Sequence, residues 1–191
     1  MRIFLAVFPP PATQRLAFDV INALRAPGDG VSWVKRENLH YTLRFLGELG
    51  DDGLRRAIEA AREAAASVPR FEAVLGAPGA FPNARRARVL WLGLAAGEAP
   101  FERLAAALEA SLARRGFAPE GRAFTAHLTI GRVREPSRDW TPRLAAPAAT
   151  VGAPAARFAV DRLLVIESRL DPRGSVYTER AAAPLAPADG G

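Results

Sequence analysis

The chain has 191 residues, 49% of them hydrophobic and 24% charged, and reads as globular, with room for one domain or for two closely packed lobes. The absence of cysteine excludes disulfides, thiolate metal centres and cysteine nucleophiles, and no apolar run approaches the length of a membrane span. The net charge of +6 is carried almost wholly by arginine, Lys35 being the sole lysine; a basic balance suits a polyanionic partner such as RNA, but alanine-, arginine- and proline-rich usage is also the mark of a GC-rich genome.

Met1 to Phe8 is a nearly continuous apolar run stopped by Pro9-Pro10-Pro11, the pattern of a buried strand. It lacks the basic region and cleavage site of a secretory leader, so a cytoplasmic location is expected. From Ala12 to Arg25 the residues Leu16, Ala17, Val20, Ile21 and Leu24 share one helical face, and Pro27-Gly28 ends it. A short strand over Val31 to Val34 precedes a second strand from His40 to Leu46. Asp51 or Asp52 can cap the next helix, whose inner face is Leu54, Ala57, Ile58, Ala61 and Ala65.

Phe71 to Leu75 reads as a strand, residues 81 to 86 as a basic turn, and Arg88 to Leu94 as the strand that follows. A third helix begins near Pro100, carries Phe101, Leu104, Ala105, Leu108 and Leu112 on its apolar stripe, and stops at Gly116. The strand of His127 comes next. Residues 135 to 156, rich in proline and alanine, read as a connecting loop. The chain resumes with a strand from Ala159 to Ser168, a turn at Asp171-Pro172-Arg173-Gly174 and a last strand around Val176 to Arg180, leaving 181–191 as a disordered tail.

The only two histidines open matching phrases, His40-Tyr41-Thr42-Leu43 and His127-Leu128-Thr129-Ile130. In a strand successive side chains alternate faces, so each histidine shares a face with its threonine while the apolar residues point into a core. Side by side, two such strands bring two imidazoles and two hydroxyls to one space that suits a phosphate. An imidazole titrates near neutrality, so one can take a proton while the other gives one. Breaking a phosphodiester needs both steps, and the hydroxyls can donate to the non-bridging oxygens as charge grows there. An arginine also follows in each phrase, Arg44 and Arg132.

A weak duplication supports the pairing: Arg2 begins a strand, a helix and then His40, and Arg88 begins a strand, a helix and then His127. Two similar lobes would each bring one histidine to a shared cleft. A zinc or iron site would need carboxylate help, and neither phrase carries Asp or Glu at close ligand spacing; Glu37 and Glu48 flank the first phrase but could as easily be surface charges, and no metal is expected.

The segments HYTLRFLGE at 40–48, FPNARRARVLWLGL at 81–94, FTAHLTIGRVR at 124–134 and LLVIESRLDPRGSVYTER at 163–180 together resemble the two-histidine (2H) phosphoesterase superfamily. The resemblance is to its RNA 2′,3′-cyclic phosphodiesterase branch, also called the 2′-5′ RNA ligase-like family, and it spans residues 1–180. It implies a single bilobal α+β domain in which two antiparallel sheets meet at a central cleft, with pseudo-two-fold related lobes and the helices outside. It implies metal-independent hydrolysis of RNA or nucleoside 2′,3′-cyclic phosphates to 2′-phosphomonoesters, with no cofactor. His40 would be the proton donor and His127 the proton acceptor; Thr42 and Thr129 would hold the phosphate. From the residues alone the two roles remain exchangeable. Where the family often carries proline before the second histidine this chain has Ala126, which removes no chemical group.

Arg132, where the family commonly carries arginine, is a further candidate for phosphate. It lies five residues after His127, and that odd offset requires a bulge or strand end to turn it to the histidine face. Phe45 has the same offset from His40 and is a candidate for a base contact or for the core. Trp33, and Trp140 in the loop, are candidates for contact with a base, and Trp91 reads as core. Arg85, Arg86 and Arg88 form the densest basic patch, fit for an RNA backbone or a solvated turn. The partners expected are RNA ends or cyclic nucleotides, with no membrane and no obligate protein partner, the chain acting as a monomer. The alternatives are an ATP-independent 2′-5′ ligase running the same steps backwards, and a non-catalytic RNA-binding module.

Overall fold

The computed structural model describes residues 1–135, 138–145 and 153–188. Its elements are β1 (Arg2–Val7), α1 (Pro11–Leu24), β2 (Val31–Trp33), β3 (Tyr41–Glu48), α2 (Asp51–Ala66), β4 (Phe71–Phe81), β5 (Val89–Ala96), α3 (Glu98–Arg114), β6 (Leu128–Val133), α4 (Thr141–Leu144), β7 (Arg157–Val160), β8 (Arg162–Asp171) and β9 (Gly174–Pro184). No helix among them is long and apolar enough to cross a membrane.

The strands run in the order β7-β4-β5-β6-β3-β1-β8-β9, with β2 paired to β6, in one nine-stranded antiparallel sheet. The joint between its halves is a single residue pair, Tyr41 with Leu128. The α+β class and the two related lobes therefore stand as expected, but the two expected sheets are two halves of one sheet, continuous through β3 and β6. Both joint residues are fully buried beneath the histidine face. Tyr41 lies against Phe101 and Phe158 and donates its hydroxyl to the Gly93 carbonyl of β5 at 3.2 Å, a second tie between the halves.

The helices cover the face opposite the cleft. α1 buries Ala17, Val20, Ile21 and Leu24 and packs on β6, although it follows β1 in sequence. α2 packs on β8, β9 and α3, burying an alanine-rich stripe that includes Ala57, Ala60, Ala61 and Ala64. Small side chains allow helix and sheet to approach closely at native density. Gly50, in extended conformation, is the N-cap of α2, and Asp51 and Asp52 sit in the first turn, where they complement the helix dipole without capping it. α3 buries the whole expected stripe and stops where Gly116 takes the left-handed conformation (φ +80°).

Three expectations near the C-terminus change. The strand read over Ala159 to Ser168 is two strands, β7 and β8, broken at Asp161. The last strand runs four residues past Arg180, and Ala183 and Leu185 are buried, so 181–188 is part of the fold and not a disordered tail; 189–191 lie outside the described residues. Of the loop read over 135–156, residues 136–137 and 146–152 lie outside the described residues, and the rest holds α4 and a 3-10 turn at Pro154–Ala156.

Candidate active site

β3 and β6 meet only at Tyr41 and Leu128. Extending that register by one residue each way sets His40 opposite Thr129 and Thr42 opposite His127, on the face away from the helices. A cavity of about 720 Å³ opens over this joint, and His40, Thr42, His127 and Thr129 all line it.

Each imidazole is fixed in the same way. His40 Nδ1 lies 2.6 Å from the Asn38 carbonyl and His127 Nδ1 2.8 Å from the Thr125 carbonyl, in both cases two residues upstream. A carbonyl only accepts, so each Nδ1 carries the hydrogen and each Nε2 is left for the cavity. The chain before His40 is anchored twice more: Gln14 Nε2 of α1 donates to the Leu39 carbonyl at 3.0 Å, and Asn38 Nδ2 donates to the Ser175 carbonyl of β9 at 2.9 Å.

The surroundings of the two rings differ. His40 stacks with Phe4 of β1 and with Phe8 just beyond its end, at 4.9 Å each, and the Tyr177 ring meets it edge-on at 5.5 Å. Burial among these rings pushes the His40 imidazole down to about 4, the positive charges of Arg132 and His127 add in the same direction, and the hydrogen bond to Asn38 opposes them. Burial likewise raises the Tyr177 phenol. His127 meets one ring, Phe81, edge-on at 5.1 Å.

Arg132 lines the cavity with both histidines. The required bulge is present: Trp91 pairs with Thr129 and Leu90 with Gly131, so Ile130 is the extra residue that turns Arg132 back to the cleft face. Phe45 reaches the same face by the same device, Ala6 pairing with Thr42 and Leu5 with Arg44, which leaves Leu43 extra. Its ring is 60% exposed in the cavity and is not core. Arg44 is not the counterpart of Arg132; it points away from the cleft, in ion pairs with Glu109 at 2.6 Å and Glu120 at 2.9 Å, and braces β3 on α3 and the loop after it.

Trp33 lines the cavity, its indole N–H spent on Asp29 Oδ2 at 3.0 Å. Trp140 does not: it is fully buried, edge-on to Trp33 at 6.0 Å and covered by the Arg143 guanidinium at 4.9 Å, so it cannot touch a base. Trp91 is only partly buried, on the cleft face beside Phe81 at 5.1 Å, and does not belong to the helix-side core. Arg85 and Arg86 are exposed in a 3-10 turn at the end of the β4–β5 hairpin and do not line the cavity. The sequence reading missed Phe8, Leu170 and Tyr177; the two that line the cavity, Leu170 and Tyr177, arrive through strands remote in sequence, and only the pairing of β1 with β8 and β8 with β9 brings them in.

Among the described residues no three His, Asp or Glu side chains converge as a metal site. Among the described residues the cavity wall carries Arg2, Lys35, Arg132 and Arg173 and no carboxylate, a surround for an anion. A second, more open depression of about 410 Å³ along α2 is lined by Asp51, Arg55 and Glu59 among others, and lies away from the histidines.

Residues 8–172 match the family model of the 2′-5′ RNA ligase superfamily. The chain belongs to this superfamily. Members similar to it include a protein of Methanothermobacter thermautotrophicus named RNA 2′,3′-cyclic phosphodiesterase, 34% identical over 94% of this chain and 96% of its own. One of Thermotoga maritima with the same name is 30% identical over 93% and 91%. The superfamily fold recurs in a crystal structure of a Thermus thermophilus protein, with a TM-score of 0.79 at 26% identity over 98% of this chain and 99% of that one. It recurs also in E. coli LigT complexed with 3′-AMP, with a TM-score of 0.74 at 24% identity over 96% and 97%.

Proposed function

We propose that the chain hydrolyses RNA or nucleoside 2′,3′-cyclic phosphates to 2′-phosphomonoesters by paired histidine acid/base catalysis, without a metal. The observation that carries this reading is the pair of imidazoles, each held through Nδ1–H by a carbonyl two residues upstream, with both Nε2 atoms left for one cationic cavity. Relatives that match nearly full length and bear the name RNA 2′,3′-cyclic phosphodiesterase support the same chemistry.

Water attacks phosphorus and gives its proton to His127 Nε2; the bond from phosphorus to the 3′ oxygen breaks, and His40 Nε2 protonates that oxygen. The 2′ oxygen keeps the phosphate. Thr42, Thr129 and Arg132 take the non-bridging oxygens, whose charge grows as the attacking oxygen bonds. In the empty cleft His40 is neutral at pH 7, its value lying near 4. The negative charge of the bound diester offsets Arg132 and favours the imidazolium, so the donor form arises with the substrate.

The test is turnover of a 2′,3′-cyclic nucleotide in the presence of a chelator, with the product compared by chromatography against 2′- and 3′-monophosphate standards. The expected product is the 2′-monophosphate, and His40→Ala or His127→Ala lowers turnover at least about 10²-fold with the fold intact. A 3′-monophosphate, near-full activity in either variant, or chelator inhibition relieved by added metal would overturn the scheme.

A further inference from the structure

We infer that the exposed arginines at the end of the β4–β5 hairpin, Arg85, Arg86 and Arg88, with Arg134 beside them, hold the phosphate backbone of a single-stranded RNA outside the catalytic cleft. The choice of RNA rests on the cyclic-phosphate reading above, which is extended from the end of the substrate to the chain behind it.

Exposed arginines are ordinary, and their neighbours decide what they mean. On the helical side the cations are matched: Arg55 and Arg56 pair with Asp52, Arg115 with Glu63, and Arg44 with Glu109 and Glu120. The sheet of the His127 lobe supplies no such partners. Residues 73–97 and 121–134, which form β5, β6 and most of β4, contain no Asp or Glu. Among the described residues none of the four arginines forms an ion pair. Two acids follow in the chain. Glu135 is exposed, and Asp139, within electrostatic reach of Arg85, accepts from the Thr141 N–H at 2.8 Å. Four guanidinium charges thus stand against two carboxylates.

The turn that carries them is held at three points. Asn83 Oδ1 accepts from the Arg85 and Arg86 N–H groups at 3.1 Å each, the Arg88 N–H donates to the Phe81 carbonyl at 2.8 Å, and the Trp140 N–H donates to the Ala84 carbonyl at 2.9 Å. The backbone that presents the cations therefore needs no ordering when an anion arrives. The patch also runs into the cleft. Val89 lies opposite Arg132, the Val133 N–H donates to the Arg88 carbonyl at 2.9 Å, and Arg134 Nε donates at 3.0 Å to Ser32 Oγ on the cavity wall. An RNA that ends in a cyclic phosphate carries another phosphate at every nucleotide behind it, so its chain leaves the cleft as a row of negative charges. A positive row continuous with Arg132 matches that substrate, and each guanidinium can take phosphate oxygens in pairs. An acidic protein surface would need no such continuity with the cleft.

The experiment measures two properties of the whole chain: binding of a short fluorescent oligoribonucleotide with an ordinary 3′-hydroxyl, by anisotropy across a salt series, and turnover of a 2′,3′-cyclic mononucleotide. Each phosphate contact to a single strand contributes about 0.7 to the slope of log affinity against log salt, so Arg85→Ala/Arg86→Ala/Arg88→Ala should flatten that slope by about 2. Over a fourfold rise in salt the wild type should then lose about 15- to 20-fold more affinity than the variant. Turnover of the mononucleotide, which does not reach the hairpin, should be unchanged and confirms that the variant is folded. Arg15→Ala/Arg62→Ala/Arg103→Ala removes the same charge from exposed positions on α1, α2 and α3 and should leave the slope as it was. A slope unmoved by the hairpin variant, which would leave an acidic protein as the partner of the patch, or a slope moved equally by the helix variant, overturns the inference and leaves the hydrolase reading standing. No turnover by the wild type overturns the hydrolase reading, and the salt slope still decides the patch.

Discussion

The two lobes place their histidines by the same backbone plan and then treat them differently, and the difference begins at one matched pair of residues. Ala6 lies opposite Thr42 in β1 and Trp91 lies opposite Thr129 in β5. A methyl group at the first position leaves a slot over β1, and the His40 ring fills it against Phe4 and Phe8. At the second position the indole fills the space itself, and the ring that meets His127 is the edge of Phe81. A duplicated scaffold thus supplies equal coordinates, and packing around them makes one imidazole hard to protonate in the empty cleft. Groups that exchange protons in opposite senses need environments of that unequal kind.

The largest expected effect comes from disturbing the His127 lobe at Gly79. A Cβ built there would lie 2.3 Å from the Trp91 ring, which packs flat on the bare backbone of β4. Gly79→Ala therefore pushes the indole and Phe81 out of place, at a cost of about 1–3 kcal/mol typical of overpacking. Turnover should fall with Phe81 displaced from His127, while the protonation of His40 is left as it was. A melting curve and a pH profile of the variant check this; an unchanged melting temperature would show that Trp91 has room to move.

A smaller effect, because part of the His40 ring still meets water, concerns stability against pH. The folded value of about 4 lies below the ordinary 6.5, so the unfolded chain binds the proton first as pH falls. The contribution is fully present above about 6.5 and is lost as pH falls toward 4. His40→Gln should flatten stability between those limits, measured by denaturant midpoints in a pH series. The carboxylates of Glu63 and Glu167, held low by their arginine partners, begin to act only at the lower edge of this window, near their ordinary 4.5, and continue below it. A slope that survives the substitution would place the cause elsewhere.

Much of this site was legible in the sequence because it rests on local periodicity. Alternation set each histidine with its threonine, and the odd offset of Arg132 already demanded the bulge now found at Ile130. Composition misled where tertiary packing overrode it. Trp140 stands in a proline- and alanine-rich stretch that reads as loop, yet it is driven beneath Trp33 and Arg143. The alanines after Arg180 read as tail, yet they complete β9, and the Ala186 N–H donates to the Val68 carbonyl at 3.0 Å. Phe8, Leu170 and Tyr177 carry no local signature, since their role depends on which strands lie side by side.

The smallest effect tests how each histidine is held. Asn38 serves His40 through its backbone carbonyl and ties the β8–β9 hairpin through its side chain to the Ser175 carbonyl. Asn38→Ala keeps the first bond and removes the second, a loss of about 1 kcal/mol for one hydrogen bond. The hairpin carries Tyr177 and Leu170, so loosening it should let water reach the His40 ring, raise its pKa and move the acid limb of the pH profile to higher pH. Thr125 gives His127 the same carbonyl, and its side chain is exposed. Thr125→Ala should therefore leave both stability and profile within error. Equal responses in the two variants would mean that the hairpin does not govern His40, and that the inequality between the lobes rests on Phe4 and Phe8 alone.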